Sequence, residues 1–211
     1  MIHTVEELLN MLHKLPRKNN ILLVGIDGCG GSGKSSLARK LRDISNEVVL
    51  IEMDDFYRPS SERTVNPESN SVGADFDWMR VREQVLLPLC SGKEGNFQRY
   101  DWDNDRLAEW HEVPINGIVI IEGVYSTRKE LSEFYDFKIW VDSPYNVRLE
   151  RGLARDGEAA RARWENEWMP AEDRYVNEHR SYELADIVID GSGIQASLDE
   201  NKLFVVKSKF L

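Results

Sequence analysis

Residues 21–36 read ILLVGIDGCGGSGKSS, an apolar run that breaks into a glycine-rich turn and then a helix-compatible stretch. Gly28, Gly33, Lys34 and Ser35 meet the spacing G-x-x-x-x-G-K-[ST] of a phosphate-binding loop. Glycines at 28, 30, 31 and 33 let the backbone take positive φ and turn its N–H groups inward around an anion. The following helix adds unpaired N–H groups and the positive end of its dipole. Lys34 has the reach for the β- and γ-phosphates, and the Ser35 hydroxyl suits Mg²⁺. A glycine linker that merely precedes Lys-Ser would lack the strand-like run before it and the helical run after it. Binding of a nucleoside triphosphate is therefore expected on Gly28, Gly30, Gly31, Ser32, Gly33, Lys34, Ser35 and Ser36.

Outward from the loop, apolar runs at 48–51, 118–121, 137–141 and 187–189 are short, β-branched and continuous, as in strands buried on both faces. A sixth strand is predicted over 203–206. Between them lie helical patterns: 4–15, opened by Thr4 with Glu7; 36–44; 78–87, capped by Asp77; 127–135, opened by Thr127 with Glu130; 144–156, opened by Ser143-Pro144; and 160–183, kinked at Pro170. Residues 58–76 form an irregular excursion, and 97–102 with 110–113 a small hairpin. Strands alternating with helices give right-handed crossovers and a doubly wound parallel α/β sheet of five strands with helices on both faces. Ligands lie beyond the carboxyl ends of such strands, which collects the loop, Asp54, Glu122 and Asp142 at one edge.

The chain has 211 residues and a formal net charge of −10, which argues against a nucleic-acid surface and against an anionic membrane. Neither a basic leader with an apolar run nor a membrane-length apolar stretch is present in the sequence. Two cysteines, Cys29 and Cys90, make no disulfide framework, so a reducing, cytoplasmic setting is expected. A homo-oligomer is left open.

Asp54 and Asp55 directly follow a buried strand, where a carboxylate takes the proton of an attacking hydroxyl or holds Mg²⁺ through water. Glu122 ends another strand and either completes the metal shell with Ser35 or pairs with a nearby cation. Five arginines against three acids leave residues 148–163 at +2 in an acidic chain. Arg148, Arg151 and Arg155 fall at i, i+3 and i+7, one helical face, and arginine suits a transferring phosphoryl group. A segment hinged at Gly157 would close them over it as a lid. Aromatic residues crowd the excursion, among them Tyr57, Tyr100 and Trp102, and offer stacking for a planar ring, with Asp77 and Asp101 for sugar hydroxyls. Trp164, Trp168 and Met169 are read as packing. His3, His13, His111 and His179 suggest no metal site.

IDGCGGSGKSS, MDDFY, FDW, YDW, IIEG and VRLERGLARD, in this order, resemble the uridine kinase branch of the P-loop kinases over residues 21–190. Phosphoribulokinases, pantothenate kinases and nicotinamide riboside kinases are related. The resemblance implies one P-loop kinase domain over 1–211, with an N-terminal helix in 1–20, an acceptor-binding excursion at 54–113 and an arginine-bearing lid at 148–163. It implies ATP and Mg²⁺ as cofactors, Asp54 as the base for a nucleoside 5′-hydroxyl, Asp77 on ribose, Tyr100 stacked near the base, and Arg148, Arg151 and Arg155 on phosphates. Three departures stand out: Asn104 where the family has a histidine, Gly152 within the basic segment, and the tryptophans of WENEWMPAEDRY. Three functions fit: an ATP-dependent kinase for uridine or cytidine or another small alcohol (nicotinamide riboside, pantothenate, a sugar phosphate); a P-loop ATPase or switch acting on proteins; and a nucleotide binder without catalysis. Asn201-Lys202 runs into Leu-Phe and so lacks the guanine-reading pattern of a GTP switch.

Overall fold

The computed structural model describes residues 4–63, 71–193, 202 and 205–208. Helix α1 (Val5–Lys14) starts where Thr4 Oγ1 accepts the Glu7 N–H at 3.2 Å, and it buries Val5, Leu8, Leu9 and Leu12. Strand β1 (Ile21–Asp27) is buried at every position. Its side chains nevertheless alternate. Leu22, Val24 and Ile26 join α1 and helix α2 (Lys34–Asp43) on one face, while Ile21 and Leu23 join the opposite core. Strand β2 (Val48–Glu52) follows, then a tight turn at Met53–Phe56.

Helix α3 (78–90) runs three residues past the expected end, through Pro88. Strands β3 (Gly95–Asp101) and β4 (Arg106–Val113) form the expected hairpin, a separate two-stranded sheet. Strand β5 (Gly117–Glu122), helix α4 (Lys129–Ser132), strand β6 (Phe137–Asp142), helix α5 (Tyr145–Asp156), helix α6 (161–179), helix α7 (Ser181–Leu184) and strand β7 (Ile187–Asp190) complete the parallel unit. The sheet order is β2-β5-β1-β6-β7-β8, and the first five strands are parallel. Strand β8 (Val205–Ser208) lies antiparallel on β7. It sits slightly beyond the predicted sixth strand, whose Leu203 and Phe204 lie outside the described residues.

Two helix-start readings are corrected. Thr127 caps nothing; its hydroxyl donates to Asp27 at 2.8 Å, and α4 begins after Arg128. Ser143 likewise turns its hydroxyl to the Ser32 carbonyl at 3.0 Å, leaving Pro144 at the start of α5. In both places a long-range partner outcompetes the local one. At Pro170, where a kink is expected, the helix carries a widened turn. The amide just before each helical proline, Leu87 and Met169, donates five residues back, to Arg82 and Trp164. One extra residue per turn relieves the clash between the proline ring and the carbonyl a turn earlier, so both helices continue.

Candidate active site

Every parallel strand ends on an acid: Asp27, Glu52, Glu122, Asp142 and Asp190. The glycine-rich loop projects beyond this rim and hands over to α2 through Gly33, whose φ of +99° suits a residue without Cβ. Asp27 anchors the loop from below. It is fully buried, with Oδ1 on the Gly28 N–H at 2.7 Å and Oδ2 on the Thr127 N–H at 2.8 Å and the Tyr175 hydroxyl at 2.6 Å. Burial pushes its pKa up, and these donors pull against that.

Lys34 is buried to 8% exposure, with Nζ 3.5 Å from the Cys29 carbonyl. The Ser35 hydroxyl donates to Glu122 Oε1 at 2.9 Å. Asp54, in the turn after β2, is exposed, although the surrounding protein partly desolvates its carboxylate. Burial raises the pKa of Asp54, Glu122 and Glu172, and the Lys34 ammonium lowers all three. Asp55, half-buried next to Glu52, is pushed up to about 6, again by burial first. Lys34, Ser35, Glu122 and Asp54 therefore meet at one edge. Beside them Gly33, Ser36, Leu37, Lys40, Arg151 and Asp190 line a cavity of about 290 Å³. The paired Ser35 and Glu122 oxygens are hard donors of the kind Mg²⁺ takes, with phosphate oxygens and water completing its shell. Among the described residues no cluster of three or more His, Cys, Asp or Glu side chains forms a protein-only metal cage.

The three arginines do not act as one exposed face. Arg148 is buried and donates to Glu172 Oε2 at 3.0 Å. Arg151 bridges the Gly31, Gly191 and Ser192 carbonyls at 3.1, 2.7 and 2.9 Å, tying the loop to the end of β7. Arg155 is exposed and pairs with Asp156 at 2.7 Å, yet its charge still lowers the Asp54 pKa.

The excursion also differs in detail from the resemblance. Tyr100 is 3% exposed and gives its hydroxyl to Asp105, so its ring is spent on packing; an accessible ring near it is Trp102, 55% exposed and stacked 4.6 Å from Tyr57. Asp101 closes the hairpin tip by accepting the Asn104 side chain at 2.8 Å and the Asp103 and Asn104 amides. Asn104, in the place of the family's histidine, is thus a turn residue. Asp77 caps α3 through the Arg80 N–H and pairs with Arg58 at 3.0 Å. Tyr57 donates to Asp75 at 3.3 Å.

Asp27 and Glu172 escaped sequence reading. An acid closing a buried strand immediately before the first loop glycine was a usable signal for Asp27. Glu172 gave none, because its partner Gly30 lies 142 residues away.

The loop, the acid-tipped strands and the order of the sheet define a P-loop kinase. More particularly, the chain belongs to the phosphoribulokinase / uridine kinase family, whose profile matches residues 23–192. A uridine kinase of Saccharomyces cerevisiae is 32% identical over 148 residues, 64% of this chain and 28% of the yeast protein. One from Deinococcus deserti is 31% identical over 141 residues, 64% of this chain and 68% of that protein. A solved structure from Bacillus stearothermophilus, described as a "possible uridine kinase", matches with a TM-score of 0.67 and 25% identity over 87% of this chain and 96% of that one. The chain therefore spans little more than a quarter of the yeast protein's length.

Proposed function

We propose that this chain transfers the γ-phosphoryl group of ATP to a hydroxyl of a small molecule, with the 5′-hydroxyl of uridine or cytidine as the first candidate. The observation that carries the reading is the convergence of Lys34, the Ser35–Glu122 pair and Asp54 at one sheet edge. The loop amides and Lys34 hold the phosphate tail, and the cavity beside Gly33 and Ser36 takes the nucleoside half of ATP. Asp54 accepts the acceptor's proton as its oxygen bonds to the γ-phosphorus and the bond to ADP breaks. Mg²⁺, when bound at Ser35 and Glu122, neutralises charge on the β- and γ-phosphates. Arg148 stabilises the transition state, and Arg151, expected from the sequence in the same role, braces the loop through backbone carbonyls. Arg155 steers nucleotide toward it, and 148–163 serves as a lid.

Trp102, Tyr57 and Asp77 serve the acceptor within the excursion 54–113, and 1–211 works as one unit. A cytoplasmic setting fits; no helix among the described residues is long and apolar enough to cross a membrane. The packed Tyr100 and the closed Asp101–Asn104 turn favour a second reading of the acceptor, as a non-pyrimidine alcohol.

ADP release measured with Mg-ATP and a panel of nucleosides, vitamins and sugar phosphates tests both. Turnover with uridine or cytidine alone upholds the first, and turnover with another alcohol alone upholds the second. Hydrolysis independent of any acceptor sinks them together.

A further inference from the structure

Glu172 holds a position that the chemistry of the loop reserves for something else. Its Oε1 accepts the Gly30 N–H at 2.8 Å and its Oε2 accepts Nη1 of Arg148 at 3.0 Å, with the side chain 7% exposed. Lys34 is near enough for its charge to act on the same carboxylate. A loop amide, an arginine and the loop lysine are the ligand set of a terminal phosphoryl group. Here a carboxylate of the chain itself bonds the first two and lies within the field of the third.

The placement is built, not incidental. Glu172 lies one turn beyond the widened turn at Trp164–Trp168 and the proline that follows it. Trp164, 2% exposed, wedges this segment in place. A Cβ at Gly152 would fall 2.4 Å from the Trp164 ring, and one at Gly30 would fall 2.8 Å from Glu172 Oε1 and 2.9 Å from the same ring. Two of the departures from the family pattern, Gly152 and the tryptophan, are thus one feature. Each makes the other fit, and together they seat the acid on the loop.

Resting on the kinase reading, we propose that Glu172 is an internal latch: it occupies the phosphate loop until nucleotide displaces it. A single N–H offers one hydrogen, so a phosphoryl oxygen on Gly30 takes the place of Oε1. The departing carboxylate also releases Arg148, which becomes available to the incoming phosphates. Nucleotide entry and arming of the arginine are then the same event. The apparent affinity for nucleotide is lowered by the fraction of molecules with the latch engaged.

The opposite arrangement, Glu172 as a fixed brace that shapes the loop for nucleotide, predicts weaker binding to Glu172→Ala and no change at Trp164 when nucleotide binds, and one experiment separates them. A non-hydrolysable ATP analogue with Mg²⁺, and tripolyphosphate alone, are titrated calorimetrically into the full chain, into Glu172→Gln and into Glu172→Ala. Glu172→Gln keeps the shape and an acceptor for Gly30 while losing the charge, so it guards against a fold defect in the alanine variant. The latch predicts that both ligands bind Glu172→Gln about tenfold more tightly than wild type. It also predicts a change in tryptophan emission on binding that is lost in Trp164→Phe. Equal or weaker binding to Glu172→Gln overturns the latch while leaving the kinase reading intact. Binding to none of the three proteins overturns both.

Discussion

Asp54 sits where two electrostatic demands oppose each other. In its proposed role as base it must be deprotonated at the working pH, while desolvation by the surrounding protein favours the neutral acid. Lys34, Arg155 and Arg39 offset that burial. Replacing Asp54 by Asn should lower kcat by roughly 10²- to 10⁴-fold with ATP affinity nearly unchanged, measured by steady-state turnover and by calorimetry. Retained turnover removes Asp54 from the base role. The pH profile carries a second prediction. Because burial raises the Asp54 pKa, the acid limb of kcat/KM should lie above the ordinary carboxylate range. Arg155→Ala removes a charge that lowers this pKa, so the active, deprotonated form is lost at higher pH and the limb moves upward, modestly because solvent weakens the pair. A limb that stays in place or moves down shows that Asp54 is not the titrating group.

Among the elements, α5 and α6 are coupled through Gly152 and Trp164. Gly152→Ala forces a methyl group into the Trp164 ring, and overpacking of this kind costs about 1–3 kcal/mol. Urea denaturation should show that loss, and it should shrink when Trp164→Leu is combined with Gly152→Ala; additive losses in the double mutant rule the coupling out. These elements also mark how far the sequence could be read. The apolar strand runs and the Thr4 cap are local signals whose readings match the backbone, and of the loop glycines Gly28, Gly31 and Gly33 take the expected positive φ while Gly30 does not. Thr127 and Ser143 read as local caps, Asp101 as a sugar ligand and the arginines as phosphate ligands, and each has a different partner in the structure. Thr127 reaches back 100 residues to Asp27, Ser143 reaches 111 residues to the loop, and Arg148 meets an acid on the next long helix. A hydroxyl or guanidinium carries no mark in the sequence of which partner will win it. The placement of the loop beyond the strands was legible; what holds the loop still was not.

At the scale of the molecule, acidic strand ends and a net charge of −10 surround the site proposed to receive a polyanion. The local cations are few, and Lys34 shares its charge among several carboxylates. Chelating divalent cations with EDTA should therefore weaken ATP binding by about tenfold or more, equal to about 1.4 kcal/mol per decade. Equal affinity with and without Mg²⁺ would place the metal outside the nucleotide site. The hairpin has a consequence of its own. Strand β4 pairs only with β3 among the described residues, and it displays Arg106, Glu109 and Glu112 to solvent beside the exposed Trp110. An unpaired strand flank invites a neighbouring chain to zip onto it, and charges spaced along it make such stacking unfavourable. Stripped of those charges, this protein would keep its fold and become prone to form cross-β threads, seeded from the hairpin and not from the sheet that carries the chemistry.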